Sequence, residues 1–319
     1  MSAGTNVPSA LLRGIDQDGG AAHRRRSRFT PTWVLGSAMW WVIVLGFMAF
    51  FVVPVLWLVL APAKTDHSLV NDFWLSIGNW NNLATSWRHI MAYQNGILLT
   101  WLANSLLYSV GAMVIAVVVC MLAGYGLAVM QFRGRKALLL LTMIVMMMPN
   151  AVLVLPLYLE AELIGTAGTP LSVILPMAMY PFGVYLVFIY YSTNLPRTII
   201  DAASIDGCSN WTTFTRIALP LGKPAIALVS FFSFTSSWNN YFLPFVMLPQ
   251  TDSYPVTVGL NNLLTSTPAF NPTVGSSGLS IYRPELALAT LLAVVPVLLI
   301  FIFNQRALVS GMLAGASKE

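Results

Sequence analysis

The sequence predicts an all-α integral membrane protein with six transmembrane helices and both termini on the cytoplasmic side. Three observations carry that prediction. The 319 residues are 57% hydrophobic and 8% charged, whereas a soluble domain carries about 25% charged residues, so a water-soluble globule is excluded. Six apolar segments reach membrane-spanning length, at 34–60, 97–129, 137–158, 171–192, 224–248 and 285–304. Lys and Arg collect on one side of those segments.

The elements follow in order. Residues 1–30 are rich in Gly, Ala, Arg and Asp without apolar period, which predicts a disordered cytoplasmic tail. Its basic run, Arg24, Arg25, Arg26 and Arg28, stands just before the first span and reads as a membrane-side anchor, not a nucleic-acid arm. The "VLAPA" at 59–63 imitates a cleavage site, but the preceding run exceeds the roughly 7–15 residues of a signal core. The first span is therefore expected to remain as an anchor. With the N-terminus in the cytoplasm, thirteen of the 16 basic residues fall on that side, and Lys64, Arg88 and Arg283 fall on the other. That is a strong positive-inside bias.

Two sizeable outward loops, 61–96 and 249–284, carry Trp, Asn and Pro, and suit either plain connections or docking of an extracytoplasmic partner. Residues 31–304 form one transmembrane domain with a cytoplasmic loop at 194–223, and 305–319 form a cytoplasmic tail. Pro and Gly inside spans, as in "MMMPN" (146–150), are tolerated where neighbours satisfy the freed backbone groups.

What the spans lack narrows the function. No Asp, Glu, Lys or Arg is placed inside them as a relay, which an ion-driven carrier usually keeps. Glu160 and Glu162 sit at the outer end of the third span. Glu285, after Pro284, reads as a first-turn acid. There is no phosphate-binding G-x-x-x-x-G-K-[ST], no H-E-x-x-H and no arguable Ser, His and Asp triad, so the chain is not expected to be an enzyme. His23, His67 and His89 are scattered and Cys120 and Cys208 lie far apart, so neither a metal site nor a disulfide is expected.

The spans hold neutral polarity instead. In "SFFSFTSSWNNYFLPF" (230–245), Ser230, Ser233, Ser237 and Asn240 share one helical face. The serines suit either close helix packing or the wall of an aqueous pathway. Trp238, Asn239, Asn240 and Tyr241 favour a pathway for an uncharged hydrogen-bonding solute, since amides are expensive in lipid. Asn104 is a further candidate by the same reasoning.

The polar insert "RTIIDAASIDGCSNWTTFTRIALPL" (197–221) stands apart from the greasy chain around it. Pro196 can open a helix, Gly207 can cap it left-handed, Ser209 or Asn210 can start a second helix, and Pro220 is expected to stop that one. The hairpin either rests on headgroups or is a rigid knob gripped by another protein.

These residues resemble the EAA motif of binding-protein-dependent ABC importer permeases, which runs E-A-A, three residues, G, and ends I-x-L-P. Here Asp201-Ala202-Ala203, Asp206-Gly207, Phe214, Ile217 and Leu219-Pro220 supply it, with Asp for Glu at the first position. Together with "NSLLYS" (104–109), "QFRGRK" (131–136), "LPLYL" (155–159), "WNNYFLPF" (238–245) and the C-terminal "QRALVSGMLAGASKE", the chain is similar to the carbohydrate-uptake subfamily of the maltose permease subunit type over most of 96–319. The resemblance implies a type I ABC importer permease fold in the cell membrane, with no cofactor bound by this chain.

It also implies the partners: a second homologous permease, two ATP-binding subunits carrying ATP and Mg2+, an extracytoplasmic solute-binding protein and membrane lipid, but no nucleic acid. The insert would be the coupling helix seated in the ATPase. Asp201, Ala202, Ala203, Asp206, Gly207, Phe214, Arg216 and Pro220 are its candidate contact residues. Asn104, Ser233, Ser237, Trp238, Asn239, Asn240 and Tyr241 are the candidate pathway residues. A partner-independent carrier or facilitator for neutral solutes is the alternative, and it leaves the insert without a purpose.

Overall fold

The computed structural model describes residues 31–271 and 281–316, with side chains described from 36 to 305 within those ranges. The predicted N-terminal tail at 1–30, and residues 272–280 and 317–319, lie outside the described residues. Two compact units are distinguished, Met1–Pro54 and Val55–Glu319. The described part of the first unit is the start of α1 (Pro31–Leu60). Thirty residues at 1.5 Å each give about 45 Å of helix, and its large apolar side chains, among them Trp40, Phe47 and Phe50, are exposed as lipid contact requires.

The second unit is built on α4 (Ile97–Val129), a 33-residue helix of about 50 Å. Around it run α5 (Arg135–Met146), α6 (Asn150–Leu163), α7 (Pro170–Ala178), α8 (Pro181–Asn194), α12 (Lys223–Trp238), α13 (Phe242–Met247), α14 (Val256–Thr265) and α15 (Arg283–Ala316). Short α2 (Asp66–Asn71) and α3 (Trp80–Ala92) fold over one end. At the other end lies a hairpin of α9 (Arg197–Ile205), α10 (Asn210–Thr213), a π-turn (Phe214–Ala218) and α11 (Leu219–Leu221). All regular structure among the described residues is helical.

Three apolar clusters succeed one another along α4. Leu98 and Trp101 pack with Phe234, Val256, Leu263 and Ala289. Tyr108 and Ala112 pack with Val173, Ile174, Met247 and Leu248. Cys120, Met121 and Tyr125 pack with Val187, Tyr191, Phe214 and Val229. The face that meets these partners is stepped in small residues, Ser105, Ser109, Ala112, Ala116, Cys120 and Gly124, all buried. Spacing of three and four puts them on one stripe, and small side chains let helix backbones close together in lipid. The approach is tightest at Gly124, where a Cβ would come within 2.5 Å of Val187 and 3.0 Å of the Phe188 backbone.

Toward the N-terminal end of α4 the same face is also a clasp. Trp101 Nε1 donates to the Thr251 carbonyl (2.9 Å), and Asn104 Nδ2 donates to those of Asp252 (2.7 Å) and Tyr254 (3.1 Å). Tyr108 Oη donates to Ser253 O (2.8 Å), and Ser105 Oγ accepts from Val256 N (2.7 Å). Positions 101, 104, 105 and 108 stand on one side of the helix, so four side chains hold the irregular 251–256 segment by its backbone.

The described parts of both sizeable loops are therefore folded, not slack. Lys64 is buried, with Nζ donating to the Phe73 and Trp74 carbonyls at 3.2 and 3.1 Å. Arg283 donates from its guanidinium and its backbone to the Asp66 carboxylate at 3.0 and 3.3 Å. Glu285 is a first-turn acid of α15, as expected, but it is also 4% exposed and pairs with His89 Nδ1 at 2.8 Å.

Among the described residues four helical stretches are long and apolar enough to cross a membrane: Gly36–Ala63, Ile97–Val129, Pro170–Asn194 and Arg283–Gln305. Two bent pairs raise the number to six if each is one crossing. The apolar segment at 137–158 breaks between α5 and α6 with a bend of 103°. Pro149 lacks an N–H and holds Met148 out of helical geometry, so the last turn of α5 closes by short bonds from Met147 to Ile144 and from Met148 to Val145.

The segment at 224–248 stops being helical at Trp238, and α12 is bent by 75° from Asn210–Leu221. Pro220 does not end the hairpin's second helix. The helix runs to Leu221, and the π-turn before Pro220 re-registers the backbone bonding that the ring would otherwise break.

The packing seam is testable. Gly124→Val should cost about 1–3 kcal/mol through overpacking. Gly126→Ala, whose Cβ would meet only Met130 Sδ at 3.8 Å, should be neutral or gain about 0.5–1 kcal/mol. The temperature at which detergent-purified protein loses its monodisperse gel-filtration peak reads both. The reverse order would contradict the seam.

Candidate functional site

The 197–221 hairpin is built to be rigid at its root and open at its tip. α9 ends in a Schellman turn: Cys208 N donates to Ala203 O (2.9 Å) and Gly207 N to Ser204 O (3.2 Å). The turn needs a left-handed residue, and Gly207 provides φ of +76° without a Cβ penalty. Ser209 then caps the second helix by accepting from Thr212 N at 3.2 Å.

The root is aromatic. Phe214 is buried with its ring 5.1 Å from Tyr125 of α4, and Tyr125 meets Tyr191 of α8 edge-on at 5.8 Å. Tyr191 Oη donates to Ala218 O (3.0 Å) and Tyr190 Oη to Leu221 O (2.9 Å). A displacement of the hairpin therefore loads two long helices directly.

The candidate coupling residues divide accordingly. Asp201, Ala202, Asp206 and Gly207 are exposed on α9 and its turn, and Arg216 and Pro220 are exposed on the second helix. Ala203 and Phe214 face inward as anchors. Residues that the motif did not single out complete the surface: Ile205 is 86% exposed and Trp211 is 64% exposed. At the root, a recess of about 150 Å³ is lined by Gln131, Arg135, Arg197 and Asp201, among others. Arg135 there donates to the Ala128 and Met130 carbonyls at the end of α4, where a cation suits the helix dipole.

Of the candidate pathway residues only Ser237 and Asn240 are brought together. Asn104 belongs to the α4 clasp. Trp238 is buried, stacked on Phe234 at 5.5 Å, with its Nε1 donating to Ala293 O at 3.1 Å. Ser233 is buried and its hydroxyl has no partner. Asn239 is exposed, and Tyr241 stacks on Phe245 at 5.3 Å. Ser237 and Asn240 meet in a cavity of about 360 Å³.

That cavity forms where three helices are interrupted: α5 to α6 at 147–149, α7 to α8 at 179–180, and α12 to α13 at 239–241. Each break has a proline beside it. Pro149 follows α5, and Pro181 forces Tyr180 to φ −121°, ψ 79°. Pro244 cannot donate to Asn240 O, so Thr257 Oγ1 donates to it instead at 2.9 Å, while Asn240 Oδ1 accepts from Leu243 N. Asn150, Tyr180, Phe182 and Ser236 also line the cavity and escaped the sequence reading. The signal that could have found them is proline inside an apolar run next to an amide or aromatic.

Known proteins place the arrangement. Residues 116–313 match the family of binding-protein-dependent transport system inner membrane components. The chain is 32% identical over 281 residues to the arabinooligosaccharides transport system permease protein AraQ of Halalkalibacterium halodurans, covering 87% of this chain and 96% of that one. It is 35% identical to the osmoprotective compounds uptake permease protein GgtD of Synechocystis, over 68% of this chain and 69% of the relative. In fold it matches a chain of a bacterial ABC transporter involved in import of the acidic polysaccharide alginate, with a TM-score of 0.75 at 18% identity, over 87% of this chain and 98% of that one. The chain thus belongs to the family of binding-protein-dependent transport system inner membrane components, as a multi-pass transmembrane permease subunit of an ABC transporter rather than an enzyme.

Proposed function

We propose that this chain forms half of the translocation pathway of an ATP-driven importer for a sugar or related polar solute, and that the 197–221 hairpin is its coupling helix. The observation that supports the reading is the hairpin's construction: an exposed tip with Ile205 and Gly207, and Asp201 exposed behind it on α9, on a root locked to α4 and α8 through Phe214, Tyr125 and Tyr191. A surface that another protein pushes must be stiff from contact to core, and this one is.

The sequence holds no phosphate loop, so the energy comes from separate subunits. Two ATP-binding subunits bind ATP and Mg2+, a second homologous permease completes the pathway, and an extracytoplasmic solute-binding protein delivers the cargo. The bias of the basic residues supports a cytoplasmic position for both termini and the hairpin. The tip seats in a cleft of the ATPase, with the Asp201 carboxylate offered for polar contact and Ala202 allowing close approach. Closure of the two ATPases draws the paired hairpins together and opens the pathway outward. The solute class is supported by relatives named as permease proteins of arabinooligosaccharides, lactose and maltodextrin transport systems.

Two variants test the coupling role. Gly207→Asp should insert and accumulate normally, yet lose co-purification of the ATP-binding subunit and reduce transport by about tenfold or more. Normal transport by that variant would overturn the assignment. Ile205→Asp, at a side chain 86% exposed, should leave thermal stability within about 0.5 kcal/mol while weakening ATPase retention. Retention equal to the parent would remove Ile205 from the contact.

A further inference from the structure

We propose that the aromatic face of the first loop, from Phe73 to Trp87, is a lipid anchor that lies in the headgroup and upper acyl region of the bilayer. The proposal needs only that the chain crosses a membrane, so it stands apart from the importer reading and holds for either orientation.

The composition is that of a boundary. Between Asp72 and Arg88 the sequence "FWLSIGNWNNLATSW" holds no charged residue, whereas about a quarter of a soluble domain is charged. It mixes Trp and Phe with Asn, Ser and Thr, and amphipathic aromatic rings gather where hydrocarbon meets water. The large apolar side chains are on the outside. Phe73, Trp74, Ile77, Trp80 and Trp87 are all exposed, Ile77 at 87% and Trp80 at 82%. Within α3, Trp80, Ala84 and Trp87 follow at intervals of four and three and form one exposed stripe, while Ser86 and Ile90 are buried. Single exposed apolar side chains are ordinary, but five concentrated in so short a segment mark an interaction surface.

The mounting of that segment identifies lipid as what covers it. One apolar stretch long enough to cross ends at Ala63, and another begins at Arg283. The loop is tied to both ends. Asn79 N and Asn82 Nδ2 donate to the Ala63 carbonyl at 2.8 and 3.2 Å, and Ser86 Oγ donates to that of Pro62 at 3.2 Å. Gly78 lies so close to the Ala63 backbone that a Cβ would not fit. The buried Lys64 ammonium holds the Phe73 and Trp74 carbonyls, which fixes the backbone beneath those two rings.

At the second crossing, Asp66 accepts from Arg283, and His89 at the far end of α3 pairs with Glu285 in the first turn of α15. α3 therefore bridges the ends of two crossings, at the level where both leave the hydrocarbon. Its exposed stripe is held at that boundary, continuous with the lipid-facing surface of the crossings, and cannot project far into water.

The test uses the full chain with Cys208→Ser, which leaves the fully buried Cys120 as the remaining native thiol. Ile77→Cys and Trp80→Cys are introduced separately, labelled with a nitroxide and reconstituted in phosphatidylcholine nanodiscs. Power saturation with oxygen, which concentrates in lipid, and with a neutral nickel chelate, which stays in water, gives the depth of each label. Both labels should lie about 5–10 Å into the boundary between headgroups and acyl chains, relaxed more by oxygen than by nickel. A label at either position that nickel relaxes more than oxygen would stand in water, as a surface kept for a soluble protein does, and would overturn the anchor. Both side chains are so exposed that their replacement removes little packing, and the gel-filtration profile of each labelled variant checks that the fold is kept.

Discussion

The close approach that α4 permits is the constraint on which the rest of the second unit depends. Lipid gives apolar helices no reason to prefer each other over acyl chains, so association must come from tight packing and from polar contacts that lipid cannot replace. α4 supplies both along its length. Its small-residue stripe lets α8 approach nearly to backbone contact at Gly124, and its clasp of Trp101, Asn104, Ser105 and Tyr108 bonds backbone groups of 251–256. Each apolar cluster contains residues of this helix. The hairpin's root and one wall of the cavity are both positioned by helices that lean on it.

Much of the fold was legible in the sequence because hydrophobic length is a coarse and robust signal. The helices at 97–129 and 181–194 fall where apolar runs predict them. The interruptions were not legible as interruptions. Hydropathy averages over Pro149, Pro181 and Pro244, and whether a proline kinks, breaks or merely decorates a membrane helix depends on which neighbour takes up the freed carbonyl. At Asn240 that neighbour is Thr257, seventeen residues on. No local pattern announces such a partner.

The hairpin was the more readable part of the site, since caps and turns are local physics: Pro196, Gly207 and Ser209 stand at or beside the helix boundaries they specify. What could not be read was which side chains face inward. Phe214 belongs to the motif yet serves as an anchor in a cluster of tyrosines from two distant helices. The polar residues of α12 posed the opposite problem. Asn240 and Trp238 look equally costly in lipid from sequence, but Trp238 spends its one donor on the Ala293 carbonyl in the core. Asn240 keeps Nδ2 free beside a cavity. Helical periodicity groups residues by face, and only the tertiary partners decide which faces are wet.

The bend of 75° between the hairpin's second helix and α12 makes one mechanical object of two distant sites. α12 is 16 residues long, about 24 Å, with its pivot at Gly222 and with Ser236 and Ser237 near its free end. A rotation of about 10° at that elbow sweeps the far end by about 4 Å, more than the length of a hydrogen bond. Small displacements at the hairpin end of such a crank are amplified at Ser236 and Ser237, and the gearing is fixed by helix length alone.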